Sequence, residues 1–309
     1  MEFTISVLQE QNRIPEVIEL FRTGLGDTSE AHWRWRLFTD NGQEDRPFAV
    51  IADDENGRMV GVSAVFPARY GCTQKKCVAF GDWVVHPDYR GQGLIRKIFD
   101  FTCAYFVECG YDFMLTFPNE MSYPILKRYG FRDLSGVTNW NSRTKLFLSH
   151  GNPKDQTVSG VEYRYTRHCA LEEIPKQRED RLYRTTAYLR WKYDQNPDQD
   201  YTWLTLWQRG EPLGYFVYTL MKGRLRTAVN VYDWDYWQGD VAIFAQAVKQ
   251  LKQLGSFVSF WGIYAEDLQA LLRQAGLEHL DGATKCIVRE MHPTGLPEQL
   301  TITRVDTDY

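Results

Sequence analysis

Two stretches of this sequence repeat each other's landmarks, and that repetition limits the fold more than any single motif. Residues 32–65, "HWRWRLFTDNGQEDRPFAVIADDENGRMVGVSAV", align with residues 188–220, "YLRWKYDQNPDQDYTWLTLWQRGEPLGYFVYTL", setting Trp35 against Trp191 and Gly61 against Gly214. Further on, "FGDWVV" aligns with "VYDWDYW", which pairs Asp82 with Asp233 and Trp83 with Trp234. A diverged duplication on this scale implies two copies of one domain. The chain has 309 residues, 43% of them hydrophobic, and single cores rarely grow past roughly 250 residues. We expect a domain over 1–149, a polar linker "HGNPKDQTVSG" over 150–160 and a second domain over 161–309.

Charge and cysteine usage remove several classes of function. The net charge of −4 argues against a sequence-independent grip on phosphate backbones, so nucleic acid is not an expected partner. No run approaches the roughly 20 apolar residues needed to cross a bilayer, and the first residues carry no basic leader; a soluble, cytoplasmic protein is expected, with no membrane partner. The six cysteines contain no CxxC pair, and the histidines His32, His86, His150, His168, His279 and His292 show no i, i+4 pairing. Buried thiols and no metal are the expectation.

The two copies differ most where "VVHPDYRGQGLIRKIF" stands in the first (84–99). A β-branched and aromatic run, "KKCVAFGDWVV", ends at Pro87, which cannot donate to a sheet ladder. After the turn, Leu94, Ile95, Ile98, Phe99, Thr102, Cys103 and Phe106 recur at helical spacing. Gly91 and Gly93 let backbone N–H groups converge at the helix N-terminus, where the helix dipole also favours an anion, and Arg90 adds a charge-assisted donor. Such a turn suits a phosphate group.

The segment "VHPDYRGQGLI" resembles the acyl-CoA pyrophosphate loop of the GNAT (GCN5-related N-acetyltransferase) superfamily, V-x-P-x-x-R-G-x-G, through Val85, Pro87, Arg90, Gly91 and Gly93. "YDFMLTFPNEMSYPILKRYGF" (111–131) is similar to that family's next strand and helix, including Asn119, Gly130 and Phe131. Helical segments over 14–24 and 29–38, and a hairpin over 47–66 turning at Asn56-Gly57, complete the family's order. The resemblance implies a mixed α+β fold of two tandem GNAT-like domains, each a mixed, mostly antiparallel central sheet flanked by helices. It also implies acetyl-CoA or another acyl-CoA as co-substrate and a small-molecule primary amine as acceptor. The implied cofactor contacts are Trp83, Val84 and Val85 on the entering strand, Arg90, Gly91, Gln92, Gly93, Leu94 and Ile95 in the loop, and Asn119.

Two positions depart from the family pattern. Ile95 stands where a small residue is usual, and Leu126 stands where a tyrosine often protonates the leaving thiolate. Pro124 belongs in a first helical turn, so a helix is expected from Ser122 with Tyr123 facing the cleft as a replacement acid. Asp82 is the nearest candidate to take a proton from the attacking ammonium, with Glu120 second. Strand alternation sets Phe80, Asp82 and Val84 on one face.

From the paired tryptophans to the following helix-end glycine there are 27 residues in the first copy and 21 in the second; the missing piece is the RGxG loop. The second copy should therefore lack the usual acyl-CoA site. Its many tryptophans (Trp203, Trp207, Trp234, Trp237, Trp261) suit a core and an interdomain seam better than a ligand platform. Tandem GNAT proteins that resemble this one include enzymes acylating amino sugars, which implies an amino-sugar-like acceptor. Two rival readings stay open: a non-catalytic acyl-CoA-binding module, and a tandem aminoacyl or peptidyl transferase, against which the intact loop and the acidic charge count.

Overall fold

The computed structural model describes residues 2–24, 26, 29–144, 151–292, 296 and 300–304; His150 lies outside them. The first half runs β1 (Thr4–Val7), α1 (Ile14–Arg22), α2 (Glu30–Phe38), β2 (Phe48–Asp53), β3 (Met59–Tyr70), β4 (Lys75–Val85), α3 (Leu94–Glu108), β5 (Phe113–Thr116), α4 (Ser122–Arg128) and β6 (Arg132–Ser142). The second runs β7 (Gln156–Val158), β8 (Val161–Thr166), α5 (Thr186–Leu189), β9 (Thr202–Gln208), β10 (Glu211–Lys222), β11 (Thr227–Tyr236), α6 (Val241–Leu251), β12 (Phe257–Ile263), α7 (Glu266–Gln274), β13 (Leu277–Glu290) and β14 (Ile302–Thr303), with one π-helical turn, Arg190–Asp194, continuing α5. Local signals fix the helix ends. Ser29 caps α2 by accepting from the His32 N–H, Asp240 caps α6 by accepting from the Ala242 N–H, and α4 begins at Ser122, as Pro124 requires.

The duplication is visible in the sheet register. Gly61 faces Val85 and Ser63 faces Trp83 across β3 and β4; Gly214 faces Tyr236 and Phe216 faces Trp234 across β10 and β11. The equivalent tryptophans meet at the junction of the halves. Trp35 and Trp191 stack with centroids 4.9 Å apart. The Trp35 indole donates to the Trp191 carbonyl at 3.0 Å, and the Trp191 indole donates to the Trp35 carbonyl at 3.4 Å and to Thr39 Oγ1 at 2.8 Å. This reciprocity is what two related elements produce about a local two-fold axis.

The two halves nevertheless do not stand apart on either side of a linker. All the strands but β14 lie in one sheet path, in the order β1-β2-β3-β4-β5-β13-β6-β12-β11-β10-β9-β8-β7. The last long strand of the second half, β13, lies between β5 and β6, and β6 of the first half pairs with β12 of the second. Each half thus lends a strand to its neighbour, and Cys286, Ile287 and Val288 of β13 are buried in the first half's cores. Part of the expected linker is also ordered, as β7 pairs with β8.

Four cysteines, Cys77, Cys103, Cys169 and Cys286, are buried as expected; Cys72 is exposed, and all six are free. Burial pushes the Cys103 and Cys169 thiols up to about 11 and Cys286 to about 12. Trp203 and Trp234 fill the second half's cores. Among the described residues, no helix is long and apolar enough to cross a membrane and no group of three or more His, Cys, Asp or Glu side chains could hold a metal.

Candidate active site

The site is made by two strands that part. β4 pairs with β5 in parallel only from Cys77 to Ala79, opposite Phe113 to Leu115. Beyond Ala79 the strands diverge, leaving the amides on that edge of β4 without a strand neighbour. The gap opens into a cavity of about 520 Å³ walled by residues 79–85 of β4, by Thr116 at the end of β5 and residues 117–119 after it, and by Ser122, Ile125 and Leu126 of α4. Thr23 and Gly24, after α1, complete the lining, with Arg90 Nη2 donating to the Thr23 carbonyl at 3.5 Å. Gly24 lies so near β4 that a Cβ there would stand 3.0 Å from Val84 Cγ1.

A bulge aims the one acidic side chain into this space. Ser63 faces Trp83 but Ala64 faces Gly81, so Asp82 is an extra residue opposite no partner, and its φ of +47° is one that few residues except Gly, Asn and Asp adopt. The extra residue reverses the alternation of β4. Phe80 packs in the core beneath α3, whereas Val84 packs in the core beneath α1, so the expectation that Phe80, Asp82 and Val84 share a face fails at Phe80. Asp82 points toward α2, where Arg36 Nη1 donates to its Oδ2 at 3.0 Å. Among the described lining residues Asp82 is the only carboxylate and Arg90 the only cation.

The glycine loop lies at the mouth. Gly91 and Gly93 have φ of +76° and +74°, and a Cβ on either would meet nothing within 4 Å. Gly93 is the N-cap of α3 and offers no side-chain acceptor, while the first intrahelical bond runs from the Lys97 N–H to the Gly93 carbonyl. The N–H groups of the first turn therefore point outward into open space, and a diphosphate fits such a concavity. Arg90 lines the cavity but is folded back, its Nε donating to the Val85 carbonyl at 3.0 Å. Ile95 lines the cavity, while the Leu94 side chain is buried under the sheet and Gln92 bonds back to the Asp88 carbonyl at 3.3 Å. Trp83, Val84 and Val85 all line the wall. Asn119 also lines it, with its Oδ1 accepting from the Met121 and Ser122 N–H groups and so shaping the start of α4.

Two expected site residues lie elsewhere. Tyr123 is turned away from the cavity: its hydroxyl donates to Asp133 Oδ1 at 2.8 Å on β6, and its ring lies beneath the Lys285 ammonium at 4.0 Å. Ser122, one residue before it, and Leu126, three residues after it, do line the cavity. Glu120 is exposed on the turn before α4 and does not line the cavity. Sequence reasoning passed over Thr116, Phe117 and Ser122 in the wall, and Arg36 behind Asp82. Arg36 had a signal: it follows Trp33 by three positions, on the face α2 buries.

In the second copy the equivalent acid does something different. Asp233 is fully buried, accepting from Arg181, from Arg184 Nε at 2.9 Å, from the Tyr215 hydroxyl at 3.0 Å and from Thr303 at 3.2 Å. Such a saturated carboxylate is a core brace, with no lone pair left for a substrate.

Residues 7–133 match the family model of the GNAT acetyltransferase domain. The structure is similar to a GCN5-related N-acetyltransferase from Anabaena variabilis (TM-score 0.67, 14% identity, covering 94% of this chain and 73% of that one). It is also similar to a conserved protein of unknown function from Enterococcus faecalis (0.68, 13%, 94% and 73%). A tandem GNAT protein from the clavulanic acid biosynthesis pathway superposes over 95% of this chain and 100% of its own, at a TM-score of 0.57 and 11% identity. No curated protein sequence matches significantly. The domain match, the parted strands above a glycine loop and the duplicated sheet agree: residues 7–133 match a GNAT acetyltransferase domain, and the chain as a whole shares the fold of a tandem GNAT protein.

Proposed function

We propose that the protein is an acyl-CoA-dependent N-acyltransferase whose single active site lies in the first half, with acetyl-CoA as donor and the primary amine of a small molecule as acceptor. The observation that carries this is the cavity itself: one carboxylate, Asp82, beside unpaired strand amides, with an open glycine turn at the mouth. The diphosphate of CoA would lie on the amides of residues 91–95, and the acyl-pantetheine arm would run between β4 and β5. As the amine attacks the thioester carbon, the carbonyl oxygen becomes an oxyanion, which a β4 backbone N–H near Val84 or Val85 would stabilise. Asp82, directly or through one water, takes the ammonium proton, since an alkylammonium has a pKa near 10 and its free amine is the nucleophile. Collapse of the adduct breaks the C–S bond and leaves amide and CoA thiolate. With Tyr123 turned away and Leu126 in the usual tyrosine slot, solvent or the departing proton serves the thiolate. The first domain (1–149) is the catalytic one, and the second (161–309), which lacks the loop, holds no acyl-CoA.

The cavity lining combines Phe117 and Trp83 with the hydroxyl-bearing side chains Thr23, Thr116 and Ser122. That mix of apolar faces and neutral hydrogen-bonding groups fits an amino sugar better than a polycation. The test is thiol release from acetyl-CoA against glucosamine, an aminoglycoside, spermidine, lysine and an arylamine, with Asp82→Asn in parallel. Turnover should fall roughly 10²-fold in the variant, with CoA affinity kept and the defect shrinking at alkaline pH, where free amine needs no base. Leu126 favours a second reading, a non-catalytic acyl-CoA-binding module. Acetyl-CoA binding with no acylation across the panel would select it.

A further inference from the structure

Behind Asp82, a line of hydrogen bonds leads out of the first half and into the second. Arg36 Nη1, which donates to Asp82, also lies 3.2 Å from His32 Nε2, one turn earlier on α2. Arg36 is 3% exposed, and its guanidinium lies between the rings of Phe66, at 4.1 Å, and Trp33, at 4.9 Å. A guanidinium only donates, so His32 Nε2 must be the accepting nitrogen and the ring proton must sit on Nδ1. That nitrogen lies against Asp198 Oδ2, on the turn that follows the π-helical segment of the second half, and Ser29 Oγ donates to the other Asp198 oxygen at 3.3 Å. Every contact in the line is therefore consistent with one arrangement of protons.

We propose that His32, held as its Nδ1–H tautomer by Asp198 of the second half, is a positioning residue that fixes Arg36 against Asp82. The inference rests on the reading of Asp82 as the base. It gives the second copy a role in catalysis without a cofactor of its own: it orients the base through Asp198. Protonation of His32 would set an N–H against an N–H at Arg36 and release the guanidinium, so the line holds only while the ring is neutral. The charges facing His32 are Arg36 on its own helix and Asp198 and Lys192 from the second half. Burial first and then the charge of Arg36 push His32 below the usual imidazole range, outweighing the pull of Asp198.

Two measurements test this. Long-range ¹H–¹⁵N spectra of the imidazoles, assigned with His32→Gln, should show His32 as a neutral Nδ1–H ring at pH 7; an Nε2–H ring or an imidazolium would overturn the proposal without any acceptor being known. With acetyl-CoA and the amine acylated fastest in the panel above, His32→Leu and Asp198→Ala should each lower kcat about tenfold through misplacement of the base. The acetyl-CoA KM should stay within about twofold, and His32→Gln, whose amide oxygen can still accept from Arg36, should recover most of the rate. Wild-type kcat in His32→Leu beside an impaired Asp82→Asn would remove the positioning line and leave the base standing. Full activity in Asp82→Asn would remove the base, and the line with it.

Discussion

Gly93 and Gly57 form a matched pair that separates ligand binding from backbone strain. Both are left-handed, at φ of +74° and +78°, and an added Cβ meets nothing within 4 Å at either. Steric cost is thus absent at both, and what remains is the penalty of a side chain in the left-handed region, about 1–2 kcal/mol and at the low end for Asp. Gly57 closes the β2–β3 hairpin, while Gly93 opens α3, where a carboxylate is also favoured by the helix dipole. Gly93→Asp should therefore destabilise the unliganded protein no more than Gly57→Asp does, each lowering Tm by a few degrees at roughly 2–4 °C per kcal/mol. CoA divides them. At 100 times its Kd a ligand that binds only the folded state adds about 2.7 kcal/mol, and Gly57→Asp should keep that increment in a thermal-shift assay. Gly93→Asp should lose it, because its carboxylate stands where diphosphate oxygens would lie. An equal CoA response in the two variants would refute the assignment of the loop.

Three other outcomes follow from the geometry. Calorimetric titration should give one CoA per chain; two per chain would mean that the second half also binds. Trp191→Ala, which removes the stack on Trp35 and two indole hydrogen bonds, should cost about 3–5 kcal/mol, and because β6 and β13 are exchanged, denaturant should still unfold both halves in a single transition; separate transitions would contradict the shared sheet. His32 is lowered in the folded state, so the unfolded chain takes up its proton first as pH falls. Its contribution to stability is complete above the unfolded value, about 6.5, and is lost below it toward the folded value. The stability of His32→Gln measured by urea unfolding should therefore fall less than that of wild type between pH 7 and pH 5, and an equal or steeper fall would refute the lowered value.

The parts of this architecture that local chemistry decides could be read from the residues. Asn56-Gly57 makes its hairpin, Pro124 makes a helix begin at Ser122, and the pair of loop glycines takes the left-handed conformations that Gly permits. What was not legible depends on partners far along the chain. The bulge at Asp82 exists because of its register against β3, and strand alternation, a two-residue rule, cannot anticipate one unpaired residue. β13 reads as the closing strand of its own domain, and only the pairing with β5 reveals that it completes the other one. Tyr123 sits at a helix start in either case; the proximity of Asp133 and Lys285 draws its hydroxyl away from the cavity. Asp82 and Arg36 are 46 residues apart, a separation at which charge complementarity in sequence carries no information.

A crystal structure of the complex measures directly where acetyl-CoA binds. The diphosphate is expected on the amides of residues 91–95, the pantetheine arm between β4 and β5, and the thioester in the cavity beside Asp82, with nothing bound in the second half. Density for the cofactor at the β11–α6 junction of the second half, or in the first half away from the β4–β5 gap, would contradict it.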